Sequence, residues 1–502
     1  MGVVQRQSIK HSIVSVLGIL IGAISTLAIY PNDRAFFGKL SFIIDSGTLL
    51  FPILSLGAAS LAIRYFPYFK NEKYKHQGFL GFLFLFAGVG ILIVSLLIKP
   101  LEENIFGFLN LLEFKVEQLK VLGIPIYLIA ILLIYSKILT NYISNFARVA
   151  IPNVLNNLFL KIALPIIVFL HFTSRISAEQ GVFLLIAAHL FILIALNLYT
   201  IRLGQWFVLP KFDFLKKDLL VAMLTYASFN ILSSMGSTIS TRIDGIMVAQ
   251  LVDFEATGDY KIFLLMANPV NLALLALAAI SGPIISEKLK ARDLKGVEIL
   301  FKKTSINGLV LAIFIYVGVW TNLDDLITLT GKYELLKPMM LVFVLIGLSK
   351  IFDVATSINY QIIGFSKYYR FNLVMVLFLA VLNVVSNYIF IKELGYGAIG
   401  AAMATCLSLF LYNLARIIFI WMKFKIHPFQ RNTLFLLLIG LAVLGLGFII
   451  PSFVHPILSI LVRGIIITLC YISLVFYVNI SKDVNELILK YWAMLKALLT
   501  SK

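Results

Sequence analysis

Charge is what this sequence has least of. Only 13% of its 502 residues are Asp, Glu, Lys or Arg, against about 25% in a soluble domain. The deficit runs along the whole chain, which excludes an ordinary water-soluble domain. Cysteine is nearly absent. Cys406 and Cys470 both lie inside apolar runs, so neither a disulfide framework nor a cysteine metal site is expected. His171, His189 and His455 do not cluster, which argues against histidine-based acyl transfer. Long polar segments are also missing. The longest interruptions include "PLEENIFGFLNLLEFKVEQLK" (100–120) and "EKLKARDLKGVEILFKK" (287–303). Neither can hold a soluble catalytic domain, so the chain reads as a non-enzyme that works inside its apolar part. No cofactor or metal is expected.

What is present is apolar. Hydrophobic residues make up 61% of the chain, and the mean hydropathy is +0.99. The runs are continuous rather than alternating, which excludes a β-barrel. Helices are then the way to satisfy the backbone in lipid. At roughly 20 apolar residues per span, spans fall near 11–30, 40–63, 78–98, 121–143, 151–171, 181–203 and 219–246. They continue near 260–284, 304–321, 337–360, 371–391, 397–421, 433–451 and 458–479. The expected fold is an all-α polytopic membrane protein with about fourteen spans. The first run, Ile13 to Ile29, exceeds the roughly 7–15 residues of a signal-peptide core, and is expected to be an uncleaved span.

The connecting segments alternate in charge. One set holds Arg6 and Lys10, then Lys70, Lys73 and Lys75, then Arg148, then Lys211, Lys216 and Lys217. It continues through 287–303, Lys367 and Arg370, then Lys423, Lys425 and Arg431, and the tail lysines. The other set is richer in acids: 100–120, "LVDFEATGDYK" (251–261) and "TNLDDLITLTGKYE" (321–334). Basic loops stay inside. Both termini are therefore expected in the cytoplasm. The formal charge of +18 then records topology, and no nucleic-acid partner is expected. The aromatic and basic stretch "IRYFPYFKNEKYKHQ" (63–77) reads as an interfacial anchor.

The chain also repeats itself. Asn141 and Tyr142 match Asn359 and Tyr360 at an offset of 218. Arg148 and Lys367, Asn153 and Asn372, Gly181 and Gly400 match at 219, and Gly38 and Gly258 at 220. The repeat pairs spans 1–6 with spans 7–12. Six is even, so the copies run the same way through the membrane, which suits a transporter built as two lobes. The expected division is 1–210 for the first lobe, 211–426 for the second, and 427–502 for spans 13 and 14 and the tail.

The chain resembles the polysaccharide-transporter branch of the multidrug/oligosaccharidyl-lipid/polysaccharide (MOP) flippase superfamily. These are the Wzx-type flippases of O-antigen and capsule precursors. The residues that carry the resemblance are "LGAASLAIRYFPYFK" (56–70), "STRIDGIMVAQLVDFEATGDYKI" (240–262), "LSKIFDVATSINYQIIGFSKYYRFN" (348–372) and "ELGYGAIGAAMATCLS" (393–408). The resemblance implies a MATE-like fold of two six-helix lobes around a cationic cavity that opens alternately to each face. It implies a polyprenyl-diphosphate-linked glycan as substrate, the bilayer as surroundings, and the polysaccharide polymerase machinery as a further partner.

Cations must receive a diphosphate, and a charge at the bilayer centre costs at least about 2.5–3.5 kcal/mol. Lys161, Arg64, Arg416 and Arg242 are the diphosphate and cavity candidates. Lys161 is mid-span, too deep to snorkel. Arg64 and Arg416 lie nearer span ends, where snorkelling is the plainer reading, and Arg463 is placed at the interface. Asp244, Lys350 and Asp353 are gating or ion-coupling candidates. Lys350 and Asp353 share a helix face as an i, i+3 pair. Arg242 and Asp244 point about 200° apart on a helix, so each must meet a different partner. Pro52 and Pro269 fall in equivalent spans and are hinge candidates.

Three other functions compete. A membrane glycosyltransferase usually carries a large outer loop or domain, whereas "YPNDRAFFGK" (30–39) is short with one Asp. A lipid II flippase would carry more basic residues in spans 1 and 2. A MATE-type drug or cation antiporter would have a more acidic lobe.

Overall fold

The computed structural model describes residues 17–212 and 215–500. Every regular element among them is helical, with no strand. Twelve of the described helices are long and apolar enough to cross a membrane. A shorter apolar helix, α1 (Leu17–Ala28), stands in the first expected span, whose residues 11–16 lie outside the described ones. The eighth expected span is broken into three pieces, described below. Together these account for the fourteen runs seen in the sequence.

By contacts the chain divides into two compact units. The first comprises Met1–Lys261 and Ile391–Ala398. It holds α2 (Arg34–Leu54), α3 (Ala58–Arg64), α4 (Phe79–Leu111), α5 (Val116–Ser144), α6 (Leu160–Phe172), α7 (Ala178–Arg202) and α8 (Lys217–Leu251). The second comprises Ile262–Phe390 and Ile399–Lys502. Helix α9 (Phe254–Ala267) runs across the boundary. The second unit then holds α10 (Leu272–Lys290), α11 (Leu294–Trp320), α12 (Met340–Thr356), α13 (Arg370–Tyr388), most of α14 (Gly397–Phe424), α15 (Arg431–Ile449), α16 (Pro456–Tyr477) and α17 (Lys482–Thr500). These units are drawn by contact and the lobes by sequence repeat. Helix α8, second-lobe by repeat, packs in the first unit, mainly against α2.

In the first unit an aromatic core joins α3, α4 and α5. Phe66, Phe69, Phe79 and Tyr142 are buried there, with Phe69 stacked on Phe79 at 4.2 Å. Branched residues such as Ile285, Ile358, Ile362 and Ile420 form a core in the second unit. The outer faces are apolar as well: Leu92, Phe183, Leu198 and Leu469 are all more than half exposed. Water would penalise such a surface; lipid does not. Hydroxyls inside the helices bond back to their own backbone, as Ser25 does to the Ile21 carbonyl and Thr26 to that of Gly22.

Two segments read as loops in the sequence are helical. Residues 251–261 carry three acids, yet α9 starts at Phe254. Residues 100–120 are helix up to Leu111 and again from Val116. At 1.5 Å per residue the 33 residues of α4 reach about 50 Å, well beyond a hydrocarbon core of about 30 Å. Polarity marked these segments as loops. Helix propensity and partners for the charges decided otherwise.

Candidate functional site

Helix α2 begins at a worked cap. Asp33 accepts from the Phe36 amide at 3.2 Å and pairs with His171 on α6 at 2.5 Å, while Phe36 stacks on that imidazole. The next residue, Arg34, reaches α9. Its Nη1 donates to both carboxylate oxygens of Asp259 at 2.7 and 2.9 Å, and its Nη2 meets Glu255. Three turns further along α2 sits Asp45, only 2% exposed. It takes Arg242 of α8 at 2.9 Å and Lys261 of α9 on its other oxygen. Lys261 is 8% exposed. Arg34, Asp259, Asp45 and Lys261 are thus neutralised in buried pairs of the first unit, with the more exposed Glu255 and Arg242 at their edges.

Glycines make the room. A Cβ at Gly245 would lie 2.6 Å from Lys261 Cε and 3.0 Å from Asp45 Oδ2. A Cβ at Gly38 of α2 would lie 1.8 Å from the Phe254 carbonyl oxygen, and one at Gly258 of α9 would lie 2.1 Å from the Arg34 carbonyl oxygen. Gly38 and Gly258 are the pair matched by the repeat. Here they face each other: a Cβ at Gly38 would lie 2.9 Å from the Gly258 nitrogen.

Arg242 and Asp244 do take different partners. Arg242 meets Asp45, and Asp244 accepts from the Tyr260 hydroxyl at 3.0 Å. Asp45, Arg34, Glu255, Asp259 and Lys261 were missed by the sequence reading. Asp45 left a signal: it is a lone carboxylate in the apolar run 40–63, and such residues are functional candidates by default. The α9 charges were hidden by being taken as loop.

A second polar cluster lies in the second unit. Arg416 is only 3% exposed and does not snorkel. Its guanidinium donates to the Tyr412 hydroxyl at 2.8 Å and to Asn372 Oδ1 at 3.1 Å, under the Tyr360 and Tyr412 rings. Its Nε has no partner among the described residues. Asp353 accepts from Asn413 at 3.3 Å, and Asn413 in turn accepts from Thr356 and Asn359. Asn413 and Arg416 lie three residues apart on α14, so this helix links Arg416 to the Lys350 and Asp353 pair, from which the sequence read it apart. Reversing the charges by Lys350→Asp with Asp353→Lys is expected to leave a purely neutralising pair folded. Folding without function, seen by comparing monodispersity with complementation, would assign the pair a positional role.

The remaining candidates stand apart. Lys161 follows a π-helical turn at Val154–Phe159. Its ammonium lies against Gly18 of α1, where a Cβ would be 3.3 Å from Nζ. It is exposed, with no hydrogen bond among the described residues. Arg64 is exposed at the end of α3, over the Tyr226 ring. Pro52 sits two residues before the end of α2, where Leu56 and Gly57 take φ of 44° and 77°. A small cavity at this break is lined by Phe51, Pro52, Ser55, Ser60, Asn230 and Ser234. Pro269 lies in the 3-10 turn Asn268–Asn271 that separates α9 from α10. Both prolines therefore mark breaks in helices. Arg463, expected at the interface, is buried instead. It pairs with Asp325 at 2.5 Å and donates to the Thr321 and Ile450 carbonyls. This ties α16 into the second unit.

No family model and no curated protein sequence matches the chain. Solved structures do. A lipid II flippase MurJ in an inward closed conformation superposes with a TM-score of 0.64 at 14% identity, covering 94% of this chain and all of that one. An inward-facing multidrug resistance MATE family transporter of the MOP superfamily follows at 0.59 and 12%, covering 82% of this chain and 94% of that one. The chain has the MOP fold. It is an all-helical, multi-pass membrane protein, as the sequence indicated, with twelve described helices long and apolar enough to cross a membrane. Among the described residues, the Arg34–Asp259 and Asp45–Lys261 pairs, the Arg416 cluster and the Arg463–Asp325 pair are charged features buried among apolar helices.

Proposed function

We propose that the protein is a flippase of the polysaccharide-transporter branch. It moves a polyprenyl-diphosphate-linked oligosaccharide, an O-antigen, capsule or other exopolysaccharide unit, from the cytoplasmic to the outer leaflet by alternating access. The observation that supports this best is the fold, whose likeness to a lipid-carrier flippase extends over 94% of the chain. The motifs resembling the polysaccharide branch add to it. In this reading the lobes are 1–210 and 211–426, both termini are cytoplasmic, and the membrane is the bacterial inner membrane. Lys161, with Arg64, Arg416 and Arg242 as further cations, receives the diphosphate. Lys350, Asp353 and Asp244 gate or couple the cycle, and Pro52 and Pro269 act as hinges. In this reading the Arg34–Asp259 and Asp45–Lys261 pairs lie towards the outer face and latch the outward-closed state, a reading that the acid-rich stretches 100–120, 251–261 and 321–334 support.

A strain lacking the gene is expected to accumulate one polyprenyl-diphosphate-linked glycan, read by mass spectrometry of lipid extracts, and to lose that glycan from its surface. Accumulation of lipid II instead would favour the reading to which the 0.64 likeness also points. An unchanged profile with new sensitivity to cationic drugs would favour an antiporter. In the same strain, Lys161→Ala is expected to insert normally and fail to restore the glycan. Normal surface polysaccharide would remove Lys161 from the diphosphate site.

A further inference from the structure

The last helix, α17, follows α16 after residues 478–481, where Asn479 turns the chain at φ 54°. Its first turn is fixed in place. Asp483 pairs with Lys303 at 2.9 Å and accepts from Asn307 at 2.8 Å, and Ser481 donates to Asn307 at 2.5 Å. Asn432 donates to the Ile480 carbonyl at 2.9 Å. All these residues belong to the second unit. The start of α17 is therefore pinned where α16 ends, between the beginnings of α11 and α15.

At 100° per residue, Val484, Leu487, Ile488, Trp492 and Met494 fall on one arc of α17, with Glu486, Lys490 and Ala493 on the other. Leu489 alone breaks the pattern. The apolar arc is not covered by protein: Leu487 is 53% exposed, Trp492 70% and Met494 50%. Helix α17 is not among the helices apolar enough to cross a membrane, and its first nine residues carry Lys482, Asp483, Glu486 and Lys490. Just before it in the chain, Phe476 and Tyr477 at the end of α16, and Val478 after it, are exposed as well. A helix with one apolar arc, one charged arc and low overall hydrophobicity suits the plane of the interface. Trp492 and Tyr477 are the residue types that settle at headgroup depth.

We infer that α17 lies along the membrane surface and binds anionic phospholipid headgroups, anchoring the start of α11 to that leaflet. Charge favours this occupant. Residues 482–502 carry Lys482, Lys490, Lys496 and Lys502 against Asp483 and Glu486. Lys303 and Arg431 stand at the same end through the Asp483 and Asn432 contacts, and basic segments beside a span are drawn to anionic lipid. The inference needs only the membrane setting and not the substrate.

The test uses the full chain in vesicles, with Cys406→Ser and Cys470→Ser. Single cysteines replace Leu487 or Trp492 on one arc and Glu486 or Ala493 on the other, each carrying a bimane label. Brominated lipids are expected to quench the first pair at least about threefold more than the second. Brominated phosphatidylglycerol should quench more than brominated phosphatidylcholine at equal mole fraction. Equal quenching on both arcs would overturn the surface placement. Labels at Leu487 and Trp492 that are hidden from lipid and freed on dilution would assign the face to a second copy instead. Equal quenching by the two lipids would overturn the anionic preference. In the unmodified chain, tryptic cleavage after Lys490 should be several-fold slower in phosphatidylglycerol vesicles than in phosphatidylcholine; equal rates would count against the proposal independently of the cysteine variants.

Discussion

Asp45→Ala is expected to destabilise the first unit by about 3–5 kcal/mol, the cost of leaving a buried charge without its partner. Asp45 is 2% exposed and holds Arg242 and Lys261 on separate oxygens. Arg242 keeps access to solvent or headgroups, with its side chain 42% exposed. Lys261 does not, so the penalty falls mainly on it. The measurement is thermal unfolding of the purified protein in detergent. The double variant Asp45→Ala with Lys261→Met removes both charges and is expected to recover most of the loss. An unchanged transition for Asp45→Ala, or no recovery in the double variant, would mean that Lys261 is not buried against Asp45. The reverse variant, Lys261→Met alone, is expected to cost less, because Asp45 retains Arg242.

Gly38→Leu is expected to force α2 and α9 apart. Even the first added carbon would sit 1.8 Å from a backbone oxygen, so no side-chain adjustment can relieve it. Overpacking of a core costs typically about 1–3 kcal/mol, and a clash with backbone belongs at the upper end. At 1.4 kcal/mol per factor of ten, that is about a hundredfold shift in population. The check is a cysteine at Ser41, which is 8% exposed on the same helix, probed with a water-soluble thiol reagent. It should be protected when residue 38 is Gly and labelled when it is Leu. Gly258→Leu should behave alike, since its Cβ meets the Arg34 carbonyl at 2.1 Å. Gly38→Ala should give a graded effect. Protection in all three variants would show that this crossing does not separate.

The two results bear on one another. If the α2–α9 crossing is the latch of an alternating-access cycle, opening it must break the Arg34–Asp259 and Asp45–Lys261 pairs together. The exposed cations then become available to an anionic headgroup, while the carboxylates are released to water.

Much of the helical order was legible. Continuous apolar runs gave helices. The repeat offset of 220 matched Gly38 with Gly258 before their contact was known. The Arg242 and Asp244 spacing required different partners, and they have them. Other features were not legible. Residues 251–261 looked like an outer loop because three acids stood close together, yet Asp259 is buried against Arg34. Arg416 and Arg463 lay near span ends, yet each is buried and donates to acceptors on other helices, Arg416 to Asn372 and Arg463 to Asp325 and the Thr321 carbonyl.

The sequence by itself determined that this is a helical membrane protein. That follows from local cost: an apolar run must leave water, and its backbone must bond to itself in lipid. Only the tertiary structure decided which charges are tolerated there. The partners of Asp45 lie 197 and 216 residues away along the chain, and those of Arg34 lie 221 and 225 away. A carboxylate in an apolar run is costly alone and acceptable when paired, and pairing at that distance is a property of how the helices cross.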